Sequence, residues 1–331
     1  MTLFIDISLF KKNRDYALLY LGQFISFIGT MITGVALPWQ IYQLTHSSFM
    51  VGLLSLVQLL PLLLTALLGG VFADRYNRRK LVMLSECILV VGCMGLVWNA
   101  HQSNPNIIMI YFVSAMMSAI TGWHRPAFES MTQQLVHLED YKAVSALASF
   151  KFGFCMIVGP AIGGLLIANY GVTLTYLIDL LTFLISLITL SLMSPLKQPR
   201  VTEHPPVMKA LREGLRFAVQ REELMGSYLV DFIAMVFAVP NALFPAIAQS
   251  LGGVKTLGFL YAAPAVGSLL LSFFSGWTVR VKQDGKAIAI SAALWGMAII
   301  GFGVSTNLSL ALFFLVLSGA FDAISGIFRT A

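Results

Sequence analysis

Four acids stand where an apolar chain should hold none. Asp179, Asp231 and Asp322 interrupt long apolar runs, and Glu86 lies one turn into another. A charge at the middle of a bilayer costs at least about 2.5 kcal/mol, so such residues usually face a cavity or a partner. A carboxylate stripped of water takes up a proton more readily. The chemistry on offer is reversible proton binding. The competing reading is an acid near an interface that snorkels outward or caps a neighbouring helix. By helix rise, Asp231 stands only about 9 Å from the end of its run. Gln23 and Gln58 also lie inside apolar runs, where they could line the path of a polar solute or serve as structural hydrogen-bonding groups.

Two further motifs carry mechanics. Gly69-Gly70-Val71-Phe72-Ala73-Asp74-Arg75-Tyr76-Asn77-Arg78-Arg79-Lys80 joins two apolar runs and buries an acid among bases. Gly159-Pro160-Ala161-Ile162-Gly163-Gly164 lies inside another run. Its proline removes a backbone hydrogen bond and kinks the helix, and its glycines allow a close neighbour. Other chemistry is thinly represented. His46, His101, His124, His137 and His204 read as loop or loop-edge residues without metal-ligand spacing. Cys87, Cys93 and Cys155 form no CxxC pair and read as small apolar side chains. No phosphate loop or nucleophile elbow appears, so neither ATP-driven work nor an enzyme is supported. No cofactor or metal is expected.

The elements that must hold these residues are membrane helices. Only 11% of the 331 residues are charged and 58% are hydrophobic, with mean hydropathy +0.83. A soluble domain averages about 25% charged residues. Ten runs are long enough to span: about 17–41, 50–73, 81–99, 107–125, 144–168, 172–194, 225–250, 256–277, 286–305 and 308–328. They are continuous rather than alternating, which predicts helices and not a barrel. Twenty of the 21 basic residues fall on one side of these spans, and Lys255 alone falls on the other. That asymmetry puts the N-terminus in the cytoplasm. The net charge of +6 is spread over short loops and is no nucleic-acid signal.

The spans divide six and four. The expected domains are an N-terminal six-helix bundle over 1–194, a cytoplasmic linker over 195–224 with an amphipathic helix, and a four-helix C-terminal bundle over 225–331. A shift of 206 residues superposes Gly52 and Gly70 on Gly258 and Gly276, which predicts parallel repeats. By that repeat the second bundle is two helices short of the first. The expectation is a chain truncated from twelve helices.

The 69–80 turn resembles the loop signature of the major facilitator superfamily, G-x-L-A-D-R-x-G-R-[KR]. Gly70, Ala73, Asp74, Arg75, Arg78 and Arg79 match, while Phe72 and Asn77 depart. Asn77 is a mild change if the position needs a left-handed backbone. The Gly159–Gly164 motif resembles the GPxxGG core of superfamily exporters, with Cys155 at an upstream glycine position. Phe24-Ile25-Ser26, Gly34 to Ile41 and Leu44 to Ser48 are similar to the enterobactin-exporter branch and, less closely, to macrolide efflux proteins. The resemblance implies a major facilitator fold and proton-coupled efflux of a siderophore or amphipathic drug across a bacterial inner membrane. The implied partners are lipid, a small-molecule substrate and protons, and the implied state is a monomer. It makes Asp74 and the arginines a cytoplasmic gate. Helix four carries no Arg over 107–122, so Arg125 would stand in as a partner of Asp74. Two other readings stay open: a transport-inactive remnant, and a lipid-handling or sensory protein on the same fold.

Overall fold

The computed structural model describes residues 8–195, 225, 226, 229, 232, 240–274, 281 and 283–330. Segment 196–224, with its expected amphipathic helix, and Asp231 lie outside the described residues. No strand occurs among the described residues. The helices are α1 (Ser8–Lys12), α2 (Arg14–Thr45), α3 (Ser48–Arg75), α4 (Arg78–His101), α5 (Ile107–Leu135), α6 (Tyr141–Ser191), α7 (Phe244–Leu251), α8 (Val254–Phe273), α9 (Asp284–Gly303) and α10 (Leu308–Thr330). A helix satisfies every backbone group internally, which hydrocarbon demands. Eight helical stretches of the described residues are long and apolar enough to cross a membrane.

Ten expected spans become eight stretches for two reasons. The expected span 225–250 is described only in part. The fifth and sixth spans run together in α6, whose 51 residues would measure about 76 Å as one rod, against a core of about 30 Å. Gly171 divides it, with φ 78° and ψ 176°, a backbone that only glycine adopts readily. The 172–191 portion is therefore a separate helix from the 141–170 portion, and each is about as long as a crossing needs.

The chain packs as two units, Met1–Val207 and Met208–Ala331. In the first, α2 lies along both portions of α6, α3 lies against α5, and α4 packs on α5 and α6. In the second, α8 and α9 both pack on α10. Lipid tails are as apolar as leucine, so close backbone approach and polar contacts must bring such helices together. Glycines mark the crossings. A Cβ at Gly122 of α5 would lie 2.8 Å from the Ala66 nitrogen and 2.9 Å from the Leu62 oxygen of α3. A Cβ at Gly267 of α8 would overlap the Val316 carbonyl, and one at Gly319 of α10 the Pro264 carbonyl. Under the expected repeat α3 and α5 correspond to α8 and α10, and both of these pairs cross on glycine. The outward face of α3 is a ladder of exposed leucines, among them Leu56, Leu60, Leu63, Leu64 and Leu67, a face suited to hydrocarbon.

Candidate functional site

Asp179 sits in the second portion of α6 and is fully buried. Its Oδ2 accepts hydrogen bonds from the Thr33 hydroxyl of α2 and, at 3.6 Å, from the Cys93 thiol of α4. Its Oδ1 stands 3.3 Å from the Thr182 hydroxyl, which also donates to the Asp179 carbonyl at 2.7 Å. Gly29 of α2 makes room, because a Cβ there would run into both Thr182 Oγ1 and Asp179 Oδ1. Seven residues earlier, Gly22 meets Thr189 in the same way. The seven-residue spacing keeps both glycines on the face that α2 turns to α6. One turn from Asp179, the buried Tyr176 hydroxyl donates to Gln40 Oε1 at 2.8 Å.

Glu86 of α4 is the second fully buried acid. Gln23 of α2 donates from Nε2 to Glu86 Oε1 at 2.6 Å and to the Ser186 hydroxyl oxygen of α6 at 3.1 Å. His124 of α5 approaches the same carboxylate, Nε2 to Oε1 at 3.4 Å, with its ring stacked on Phe128. Glu86 Oε2 and His124 Nε2 are buried with no hydrogen-bond partner among the described residues. Ser186 lies two turns after Asp179 on α6, so the two carboxylates occupy successive levels of one bundle, framed by α2, α4 and α6. The arrangement sets two buried carboxylates among hydroxyl, thiol, amide and imidazole groups contributed by α2, α4, α5 and α6.

The other expected residues fall elsewhere. Gly70, Asp74 and Arg75 lie in the last turns of α3, and the side chains of 70–75 lie outside the described residues. Arg79 donates to the Leu190 carbonyl at 3.0 Å and the Ser191 carbonyl at 2.8 Å, closing the C-terminus of α6 where bare carbonyls collect negative charge. Arg78 donates to the Ser130 carbonyl at 3.3 Å. Asn77 corrects the expectation of a left-handed turn. Its φ is −64°, and its side chain accepts from the Lys80 N–H as the N-cap of α4. Arg125 is mostly exposed and pairs with Glu129 one turn on. Gly159 and Gly163 press α6 onto α2, where Cβ atoms would meet the Met31 side chain and the Ile32 backbone, and Pro160 and Gly164 are buried with them. Gln23 spends its amide on Glu86 and Ser186. Gln58 is half-buried on α3, and its carbonyl accepts from Ser118 at 2.8 Å. Asp322 pairs with Arg329 of the same helix at 3.6 Å.

Residues 10–326 match the family described as Transmembrane secretion effector. The chain belongs to that family of major facilitator transporters. The transporter is 30% identical over 329 residues to the enterobactin exporter EntS of Shigella boydii serotype 18, an alignment covering 98% of this chain and 78% of that one. The exporter of the same name from Escherichia coli O1:K1 gives the same figures. Among solved structures, a bacterial homologue of the human lysosomal transporter Spinster shares the fold with TM-score 0.72 at 16% identity, over 96% of this chain and 74% of that one. A bacterial homologue of the iron transporter ferroportin does so at 0.68 and 14%, over 96% and 82%. The protein is a multi-pass membrane transporter with an all-helical major facilitator fold, and neither its family nor these relatives are enzymes.

Sequence reasoning missed most of the transporter's buried network, Thr182 and Ser186 among the residues it did not name. Thr33 gave no signal, because hydroxyls are common in membrane helices. Cys93 was expected to be a small apolar filler. His124 was expected at a loop edge, but α5 continues to Leu135 and holds it inside the bundle. The sequence signal for His124 was its position one helical turn before Phe128, on a face that continues past the apolar run.

Proposed function

We propose that this transporter is a proton-coupled exporter of a siderophore or amphipathic drug across the bacterial inner membrane, with its N-terminus in the cytoplasm. The observation that carries the reading is the pair of fully buried carboxylates, Asp179 and Glu86, in one bundle. An ionised Asp179 has hydroxyl and thiol donors from three directions to hold its charge. A protonated one releases a donor and loosens the hold of α6 on α2 and α4. Proton occupancy thereby changes how tightly these helices grip one another, which is what a coupling site must do. Export and a siderophore rest on the similarity to enterobactin exporters and on the Gly159–Gly164 motif. Orientation rests on the basic asymmetry of the loops. Division into bundles at 1–194 and 225–331 about a 195–224 linker, the gating role of the 70–79 loop and a monomer acting with lipid, substrate and protons belong to the same reading.

The test is efflux from proteoliposomes under an imposed proton gradient, with enterobactin and a macrolide as alternative substrates. Wild-type protein should move one of them, and a protonophore should stop it. Asp179→Asn should remove gradient-driven efflux while sparing substrate exchange at zero gradient, and Asp231→Asn should do less. Transport indifferent to the gradient refutes the coupling, and wild-type efflux by Asp179→Asn removes that residue from the site.

A further inference from the structure

Lys151 is a cation inside a membrane helix, and among the described residues no acid pairs with it. It stands ten residues after Tyr141, the first residue of α6, or about 15 Å along the axis. Its Nζ lies 4.7 Å from the centroid of the Phe128 ring and 5.9 Å from that of Tyr20. Three acids of the neighbouring elements are engaged elsewhere. Asp15 accepts from the Ser194 N–H, Glu129 pairs with Arg125, and Asp140 pairs with Lys12. Among the described residues no carboxylate forms an ion pair with Lys151. Two rings offset only part of the cost of a lysine at this position.

Beside the cation runs an aromatic shelf. Phe24 stacks on Phe150 with centroids 6.4 Å apart and 16° between planes, and lies 5.5 Å from Phe154. Tyr20 joins Phe24 to the ring pair around Lys151, at 6.0 Å. Phe150 is 45% and Phe154 37% exposed, so the shelf is not consumed by packing.

The geometry points to a binding site for an anion carried on an aromatic or other flat apolar body, its charge on Lys151 and its body on Phe24, Phe150 and Phe154. Cationic amphiphiles are selected against at this position, which narrows the drug-or-siderophore alternative. The anion has two possible sources, a transported solute or the headgroup of an acidic lipid. Only the naming of the solute as substrate rests on the proposed export function. Binding at equilibrium needs no gradient and no turnover, so its failure is distinct from a failure of transport.

The experiment uses the full chain in phosphatidylcholine nanodiscs and three probes of one shape: 1-naphthoate, the neutral 1-naphthamide and the cationic 1-naphthylmethylammonium. Equilibrium dialysis should rank them anion, amide, cation, with the anion preferred over the amide by about tenfold. Lys151→Met should erase that preference while leaving amide binding in place, which shows that the shelf remains folded, and Lys151→Arg should keep it. Phosphatidylglycerol added to the discs distinguishes the sources. Suppression of naphthoate binding in wild-type protein and not in Lys151→Met assigns the site to a lipid headgroup, and indifference to the lipid assigns it to a solute. An anion-to-amide ratio that is the same in wild type and Lys151→Met, or a ratio near one in wild type, overturns the proposal.

Discussion

The hydrogen bond from Thr33 to Asp179 should be the strongest of three polar ties between α2 and the second portion of α6, beside Tyr176 to Gln40 and Gln23 to Ser186. The three donors to this carboxylate are not equal. The Cys93 thiol is a weak donor at 3.6 Å. Thr182 has a nearer acceptor in the Asp179 carbonyl, 2.7 Å against 3.3 Å. That leaves the Thr33 hydroxyl. Thr33→Val removes it at almost constant volume and strips a fully buried carboxyl oxygen of its best donor. The expected loss is about 1–3 kcal/mol. If the carboxyl is then replaced too, in Thr33→Val with Asp179→Leu, neither partner is left unsatisfied. The valine should then cost close to nothing, since removing both partners of a buried hydrogen bond can be nearly neutral. The coupling energy from the double-mutant cycle should reach about 1–2 kcal/mol, above the average of about 0.6 kcal/mol for hydrogen bonds between membrane helices. Reversible unfolding by SDS in mixed micelles measures all four corners of the cycle. A coupling below about 0.5 kcal/mol would mean that the two residues act independently, and the account of Asp179 as the strongest polar tie between α2 and α6 would fail.

Two further outcomes follow from the packing and the loop. Gly122→Ala should lower the yield of folded, monodisperse protein on size exclusion, because its Cβ would lie 2.8 and 2.9 Å from backbone atoms of α3 that cannot step aside. Gly95→Ala is the control, with its nearest atom at an ordinary 3.4 Å on a methionine side chain, and equal behaviour of the two would refute the backbone-crossing argument. Arg79→Gln should lower thermal stability by about 1–2 kcal/mol, because two carbonyls at the end of α6 lose charged donors. Arg79→Lys should recover only part of it, since a lysine lacks the planar fork that reaches both oxygens; full recovery would show that only charge matters there.

Legibility in the sequence followed the range of the interaction. Long apolar runs are a local property, and helices α2 to α5 lie where those runs fall. The break between the fifth and sixth spans was placed between 168 and 172 from the apolar runs alone, and Gly171 falls within it. Asp179 and Glu86 stood out as acids in apolar surroundings, yet the sequence left their roles open. Their partners Thr33, Cys93, Thr182, Gln23 and His124 come from four helices, and nothing in the chain pairs Thr33 with a residue 146 positions away. Asn77 was misread because Asn serves equally as a turn residue and as an N-cap, and only the backbone angle distinguishes them. Lys151 was expected simply to belong with the basic loops, since its ring neighbours Tyr20 and Phe128 are remote in sequence.

The turn at Gly171 has a consequence for how the transporter is made. A single non-helical residue joins two crossings, with no charged spacer between them. Neither crossing carries a basic retention signal at that end, and the turn between them is too short to present one. The two should enter the bilayer together as a helical hairpin. The deeply placed Asp179 would then meet hydrocarbon only once the other portion of α6 is already alongside it. The polar partners on α2 and α4 are made earlier and wait in the membrane to receive it.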